Sequence, residues 1–458
     1  MKKLLYILFF FLPVVVSAQF NLYKDSPLDY AWKNVGNAGF SAGEVVCTSL
    51  AIDSFGQPYV AFSDSANSYK ATVMKFDGTN WLNVGNTGFS AGIIGWTSLA
   101  FSPSGQPYVA YSDFENFWKA TVMRFNGANW VNVGSAGFSI GAAWHTSLAF
   151  NPSDSQPYVA YEDGGNSWEA TVMKFNGTNW VNVGNAGFSQ LEADFTSLAI
   201  SPSNGQPYVA FADCYATVMK FNGNNWVNVG SAGFSGNCVQ GISLAFSPSD
   251  EQPYVACADF INSVGISVMK FNGNDWLNVG NANFSAGAAE YPSLAFSLTG
   301  QPFVVFKDYG NNNKATVMKF NGTNWVNVGS AGFSAGEVDW TSIALNPSGQ
   351  PYVAYVDYGN SYKATVMKYD SVFVGINESM ESKLSMYPNP SSTQITIETS
   401  VIPTHSTLSI MNISGQQLIT RQITEPKTHV DISNLPSGVY FVRLTNDRTV
   451  EVGKIIKE

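Results

Sequence analysis

From Asp29 to Asp370 the hydrophobic and polar positions fall into one short pattern that recurs seven times, with a period of about 49 residues. Each unit holds four brief apolar runs separated by polar turns. In one copy the first run is Thr97-Ser-Leu-Ala-Phe-Ser, followed by a Pro103-Ser-Gly-Gln turn. The second run is Pro107-Tyr-Val-Ala-Tyr-Ser-Asp113, with its proline at the strand entry, and the third is Ala120-Thr-Val-Met-Arg-Phe. Asn126-Gly127 supplies a hairpin turn, and Trp130-Val-Asn-Val-Gly is the fourth run. The outer Trp recurs at Trp32, Trp81, Trp130, Trp180, Trp226, Trp276 and Trp325. Runs that are apolar on both faces fit strands covered on both sides. Four strands per repeat of this length predict an all-β chain with a seven-bladed β-propeller over residues 19–370.

The repeats start and stop out of phase. A fourth-type run, Tyr30 to Gly36, precedes any first-type run, and the last unit ends on a third-type run, Ala364 to Tyr369. The N-terminal strand is therefore expected to complete the last blade, a velcro closure that removes an open sheet edge. Asp77-Gly78-x-x-Trp81 resembles an Asp-box turn, but its Ser/Thr and full spacing are not reproduced, so it reads as an ordinary hairpin turn.

Before the repeats, Lys2 and Lys3 precede an apolar run from Leu4 to Val16, and Val16-Ser17-Ala18 has the small-residue pattern of a cleavage site. Residues 1–18 read as a secretory signal peptide; the run is too short to span a bilayer, and no transmembrane segment is expected elsewhere. Beyond the repeats, 371–383 reads as a linker and 384–458 as a small C-terminal β-sandwich with frequent turn signals. This last segment carries Tyr387-Pro388-Asn389-Pro390, a turn at Gly415, Leu435-x-x-Gly438-x-Tyr440 and a terminal strand containing Lys454. With these features in this order it closely resembles the type A C-terminal sorting domain of the type IX secretion system of Bacteroidetes. The resemblance implies recognition by that secretion machinery, passage across the outer membrane, and a secreted or cell-surface destination.

Charge narrows the partners. The net charge is −10 and only 12% of residues are charged, which argues against nucleic acid and anionic lipid as ligands. A neutral polymer such as a glycan, or a protein, remains. The repeats contain a single His, His145, and a single Arg, Arg124, so no His-built metal centre and no arginine cluster of the sialidase kind is expected. Carboxylates before the first runs (Glu44, Glu192 with Asp194, Glu290, Glu337 with Asp339) could in principle hydrolyse glycosides, but no pair is marked, and catalysis is not the favoured reading.

The repeats differ most at two loop positions that would share one face of a propeller. The residue just before the first run's core reads Cys47, Trp96, His145, Phe195, Gly241, Tyr291 and Trp340. The loop between second and third runs carries Tyr69, Trp118, Trp168, Tyr215 and Tyr362. Rings beside Asp and Asn suit sugars, which stack their C–H faces and hydrogen-bond through hydroxyls, and they suit protein partners as well. Tyr69, Trp96, Trp118, Trp168, Trp340 and Tyr362 are accordingly the candidate ligand-binding residues of a non-catalytic, carbohydrate-binding module, with a protein-binding adhesin as the alternative. Asp64, Asp113, Asp163, Asp213, Asp259, Asp308 and Asp357 end the second runs and read as turn caps in preference to calcium ligands; no cofactor is expected. Of the cysteines, Cys214 and Cys238 are the favoured disulfide, with Cys238–Cys257 the competitor.

Overall fold

The computed structural model describes residues 29–259, 265–372, 384–399, 406–445 and 450–458. The segment read as a signal peptide and most of that read as a linker lie outside these residues. The chain divides into two compact units, one spanning Tyr30–Val372 and the other containing the C-terminal segment to Glu458.

The larger unit is all-β and fits a propeller-like fold, with seven four-stranded antiparallel sheets among the described residues. The first sheet runs in chain order through Val45–Ile52, Pro58–Asp64, Lys70–Phe76 and Trp81–Asn83, and the next five repeat this plan. The seventh has Val338–Leu345, Pro351–Asp357 and Lys363–Val372, and its fourth strand is the N-terminal Asp29–Asn34. The first and last strands of this unit thus share one sheet, held by Val35 N–H donating to the Val366 carbonyl at 2.8 Å. Second strands are the most deeply buried: Val60, Val109, Val159, Val209, Val255, Val304 and Val353 have no exposed surface.

Neighbouring sheets are joined by two repeated devices. At the inner strands, the Leu99 N–H donates to Ser49 Oγ of the preceding sheet at 3.0 Å. The same bond links Leu148 to Ser98, Leu198 to Ser147, Leu244 to Ser197, Leu294 to Ser243 and Ile343 to Ser293, and Leu50 to Ser342. At the outer strands, each Trp indole N–H donates to a Val carbonyl of the preceding sheet, as Trp180 does to Val133 at 2.7 Å. The same indole lies flat on the Phe of a Gly-Phe-Ser step, Trp180 on Phe138 at 4.2 Å. Seven indole–Phe pairs exist, from Trp32–Phe333 and Trp81–Phe40 to Trp325–Phe284, the last with Asn283 in place of the glycine. Stacking plus a satisfied indole N–H explains why the outer Trp never varies. It also explains the glycine of Asn-Val-Gly: Gly85 has φ +72°, and a Cβ there would meet Phe125 at 2.8 Å.

The C-terminal unit pairs a three-stranded sheet (Leu384–Tyr387, Gln394–Thr399, Lys427–Asp431) with a four-stranded one (Gln417–Ile423, Ser406–Met411, Gly438–Thr445, Val450–Lys457). Ile395, Ile397, Leu408, Ile410, Val442 and Ile455 form its core. No helix among the described residues is long and apolar enough to cross a membrane.

Candidate functional site

The inner strands of all seven sheets carry a bulge. Register shifts between Trp144 and Ser147, for example, because two residues on the inner strand oppose one on the second. The bulged residue adopts a left-handed backbone: φ is +57° at Cys47, +45° at Trp96, +48° at His145, +57° at Phe195, +51° at Tyr291 and +52° at Trp340, with Gly241 at +104°. This geometry turns the six side chains inward, and with Gly241 they line one central cavity of about 190 Å³. Beneath them the following residues form a second tier. Thr196 Oγ1 donates to the His145 carbonyl and Thr341 Oγ1 to that of Tyr291, each at 2.5 Å, and Thr48 bonds Trp340 in the same way. Thr97 and Thr146 repeat the bond to Cys47 and Trp96. Pro292 replaces this Thr in the sixth sheet, and a Cβ on Gly241 would meet its Cδ at 2.7 Å. The ring therefore lacks a side chain at Gly241.

The loop positions Tyr69, Trp118, Trp168 and Tyr362 are also left-handed, each preceded by a second left-handed residue. Their loops are held by the Asp ending each second strand. Asn116 Nδ2 donates to Asp113 Oδ2 at 2.8 Å and Thr121 Oγ1 donates to the same oxygen at 2.9 Å. Asp163, Asp308 and Asp357 bind the matching Asn and Thr. The other oxygen caps the turn at Asp64 and Asp163, accepting from the Ala66 and Gly165 N–H groups, whereas Oδ1 of Asp113, Asp308 and Asp357 is buried without a hydrogen-bond partner among the described residues.

The candidate aromatics fall into three groups, with Tyr69 apart from them. Trp96 and Trp118 meet edge-on at 6.4 Å, and Trp144 bridges between Trp96 (5.3 Å, stacked) and Trp168 (4.5 Å). Phe114 adds to Trp118 at 5.1 Å. Trp340 packs on Tyr291 at 5.1 Å, and Tyr362 on Tyr358 at 4.4 Å. Tyr69 is exposed and has no ring partner among the described residues. Of the candidates, only Trp96 and Trp340 line the cavity. Trp144 was missed by position-by-position comparison of repeats, because its equivalents are Val46, Gly95, Asp194, Gln240, Glu290 and Asp339. A Trp-His dipeptide in a variable segment was the available signal.

Charge at this end of the strands is concentrated at two junctions. Lys307, buried, places its ammonium 2.9 Å from Glu337 and 2.8 Å from Asp339. Burial works against that charge, yet the hydrogen bonds to Asp339 and Glu337 hold its pKa above the ordinary lysine range. Tyr358 donates its hydroxyl to Asp339 at 2.5 Å, and that bond, with burial, raises the phenol's pKa. Tyr291 is pushed up to about 12 by burial, then by Asp339 and Glu290. At the other junction His145 Nδ1 lies 2.9 Å from Glu162 Oε2. Asp194 stands beside them, its pKa raised by burial and then by Glu162, with His145 opposing. Cys47 is a buried thiol pushed up to about 11 by burial. A disulfide joins Cys214 to Cys238, while Cys257 fills the core position held by Tyr111 in the second sheet.

In the C-terminal unit the Tyr-Pro-Asn-Pro motif clamps the last strand. Asn389 Nδ2 donates to the Lys454 carbonyl at 2.9 Å, and Asn389 Oδ1 accepts from Ile456 N–H at 2.8 Å. The bonds to Pro388 and Pro390 are cis. Gly415 turns at φ +78°, Gly438 opens a strand, and Tyr440 donates to the Pro436 carbonyl at 2.6 Å. Residues 385–458 match the family model described as the secretion system C-terminal sorting domain. This segment is a type IX sorting domain. The sorting domain addresses the chain across the outer membrane, to the cell surface or the extracellular space.

No curated protein matches the chain. Among solved structures, PorZ, a surface component of the type IX secretion system of Porphyromonas gingivalis, aligns at 12% identity and a TM-score of 0.43. That alignment covers 90% of this chain and 59% of PorZ, so the chain spans under two thirds of PorZ's length. A polysaccharide lyase, a PL25 ulvan lyase, aligns at 12% identity and a TM-score of 0.48, over 72% of this chain and 95% of the lyase. Likenesses this distant carry no functional argument.

Proposed function

We propose that residues 19–370 form a closed seven-bladed propeller, exported by way of the 384–458 sorting domain, that binds carbohydrate without transforming it. Closure is supported by the cycle of Leu N–H to Ser Oγ bonds, which returns from Ser342 to Leu50. The observation that carries the binding reading is the cluster of Trp96, Trp118, Trp144 and Trp168 at the rim of the cavity. All four rings are half-buried, so each is held in place and keeps part of its surface for a ligand. A pyranose stacks on such rings, while neighbouring carbonyls, Thr hydroxyls and carboxylates accept and donate hydrogen bonds.

The test is a glycan-array screen of the full chain beside a Trp96→Ala/Trp118→Ala/Trp168→Ala/Trp340→Ala variant checked for native circular dichroism. The parent is expected to bind one sugar class and the variant to lose it; an empty array for the parent rejects the proposal. One observation favours a second reading, a protein partner. Phe114, Phe117, Ile140 and Leu191 stand exposed on loops around the same cluster, with Phe117 at 83%. Exposed apolar side chains beside Trp are features of protein interfaces.

A further inference from the structure

The two charged junctions are the same construction filled in opposite ways. Glu337-Val-Asp339 precedes the ring residue Trp340, and Glu192-Ala-Asp194 precedes the ring residue Phe195 at the matching positions. In each case the residue facing this acidic pair comes from the second strand of the preceding sheet, one residue before its terminal Asp. That residue is Lys307 in one junction and Glu162 in the other. Lys307 supplies a cation to its pair at 2.8–2.9 Å. Glu162 instead adds a buried third carboxylate, and the ring residue of its own sheet is the repeats' one imidazole, His145.

Glu162 is buried and Asp194 half-buried beside it, and two carboxylates so placed call for a compensating cation or proton. A protonated His145 would compensate only one of them. One ligand atom from each of His145, Glu162 and Asp194 lies within 4.8 Å of the others, the one such grouping of metal-type side chains among the described residues. The three come from strands of two adjacent sheets: Ala143–Phe150, Pro157–Asp163 and Asp194–Ile200. Two ligands around one zinc-type ion lie at most about 4 Å apart, so small side-chain rotations bring the set to bonding distance. His145 also lines the central cavity, which leaves a path for an ion and room for water or a ligand to complete its coordination.

We propose that His145, Glu162 and Asp194 form a mononuclear site for a divalent transition metal of the zinc type at the wall of the central cavity. The imidazole selects this class over calcium or magnesium, which take oxygen ligands alone, and the two carboxylates neutralise the ion's charge. The site stands independently of the sugar-binding proposal, since no aromatic of that cluster is a ligand.

The experiment uses the full chain, stripped with chelator and titrated with Zn²⁺ by calorimetry and with Co²⁺ by visible absorption. One equivalent is expected to bind, with a rise in Tm on loading, because an ion held by the folded state alone stabilises it. His145→Ala and Asp194→Asn are each expected to weaken binding by more than about 100-fold, since even partners of metal ligands are worth 10–100-fold. The decisive variant is Glu162→Lys, which copies the Lys307 arrangement: it is expected to stay folded in the absence of metal and to bind none. Absence of Zn²⁺ binding by the parent would overturn the proposal. So would binding that survives Glu162→Lys, which would put the ion elsewhere, or a preference for Ca²⁺ that disappears with Glu162→Lys.

Discussion

A left-handed backbone costs a residue with a Cβ on the order of 1 kcal/mol relative to glycine. Six of the seven ring positions accept this cost, five of them with an aromatic ring or imidazole, and the exception is Gly241, which lies against Pro292. The large side chains therefore return something there that glycine would not. This separates two kinds of Trp in the chain. Trp180 is buried, stacked on Phe138 and bonded to Val133, so Trp180→Ala is expected to cost about 3–5 kcal/mol in urea unfolding. Trp96→Gly relieves backbone strain while removing a half-buried ring, and is expected to change stability by under about 2 kcal/mol while reducing ligand binding. Equal losses of stability in the two variants would mean that the ring Trp is merely a plug. Cys47 offers a second residue-level test. With its pKa pushed up to about 11 by burial, the folded chain keeps the thiol protonated while an unfolded thiol ionises near 9.0. Stability from this site is complete below pH 9 and is lost as pH rises through the folded value. Iodoacetamide should leave Cys47 unmodified in the folded chain at pH 8.5 and alkylate it once urea unfolds the chain; rapid labelling of the native form would refute the burial argument.

Elements were more legible than contacts. The order of four strands per unit could be read because each run has its own turn signal, and the out-of-phase ends already pointed to pairing between the first and last strands. The Gly-Phe-Ser step was overlooked because only the backbone of its Phe serves its own sheet; the ring stacks on the next sheet's Trp, as Phe89 does on Trp130. The bulge was equally hidden, since a left-handed Trp or His contradicts local backbone preference and is imposed by the neighbouring strand. Glu162 was passed over for a related reason: its significance lies in facing Asp194 across a sheet junction, and no spacing along the chain records that. In the sorting domain, motif and geometry coincide. Asn389 gives one hydrogen bond to the last strand and takes one from it, so Asn389→Ala is expected to destabilise that domain by about 1–3 kcal/mol. Its thermal transition should fall, and less protein should reach the culture medium or cell surface. Unchanged melting of the domain in Asn389→Ala would show that the clamp is dispensable.

At the scale of the molecule, the same repeat produces uniform outer walls and an unequal mouth. Seven Trp–Phe stacks and seven bonds from a Leu or Ile N–H to a Ser hydroxyl are interchangeable, and near-identical repeats would permit weak multivalent binding. The loops do not share that uniformity. Trp96, Trp118, Trp144 and Trp168 gather over the second and third sheets, Gly241 leaves a gap at the fifth, and Lys307 with Asp339 and Tyr358 makes the opposite side polar. All seven ring positions also meet in one cavity, which a single ligand segment would fill. Binding is therefore expected at one equivalent per chain with a hyperbolic isotherm, followed by the intrinsic Trp fluorescence of the clustered rings. Trp144→Ala should weaken it by tenfold or more, the loss of about 1.4 kcal/mol of stacking, whereas Tyr69→Ala, which removes a ring outside the stacked cluster, should leave it within about twofold. Several equivalents of equal affinity, or equal losses from both substitutions, would mean that the repeats bind as independent copies and that the asymmetry of the mouth is structural alone.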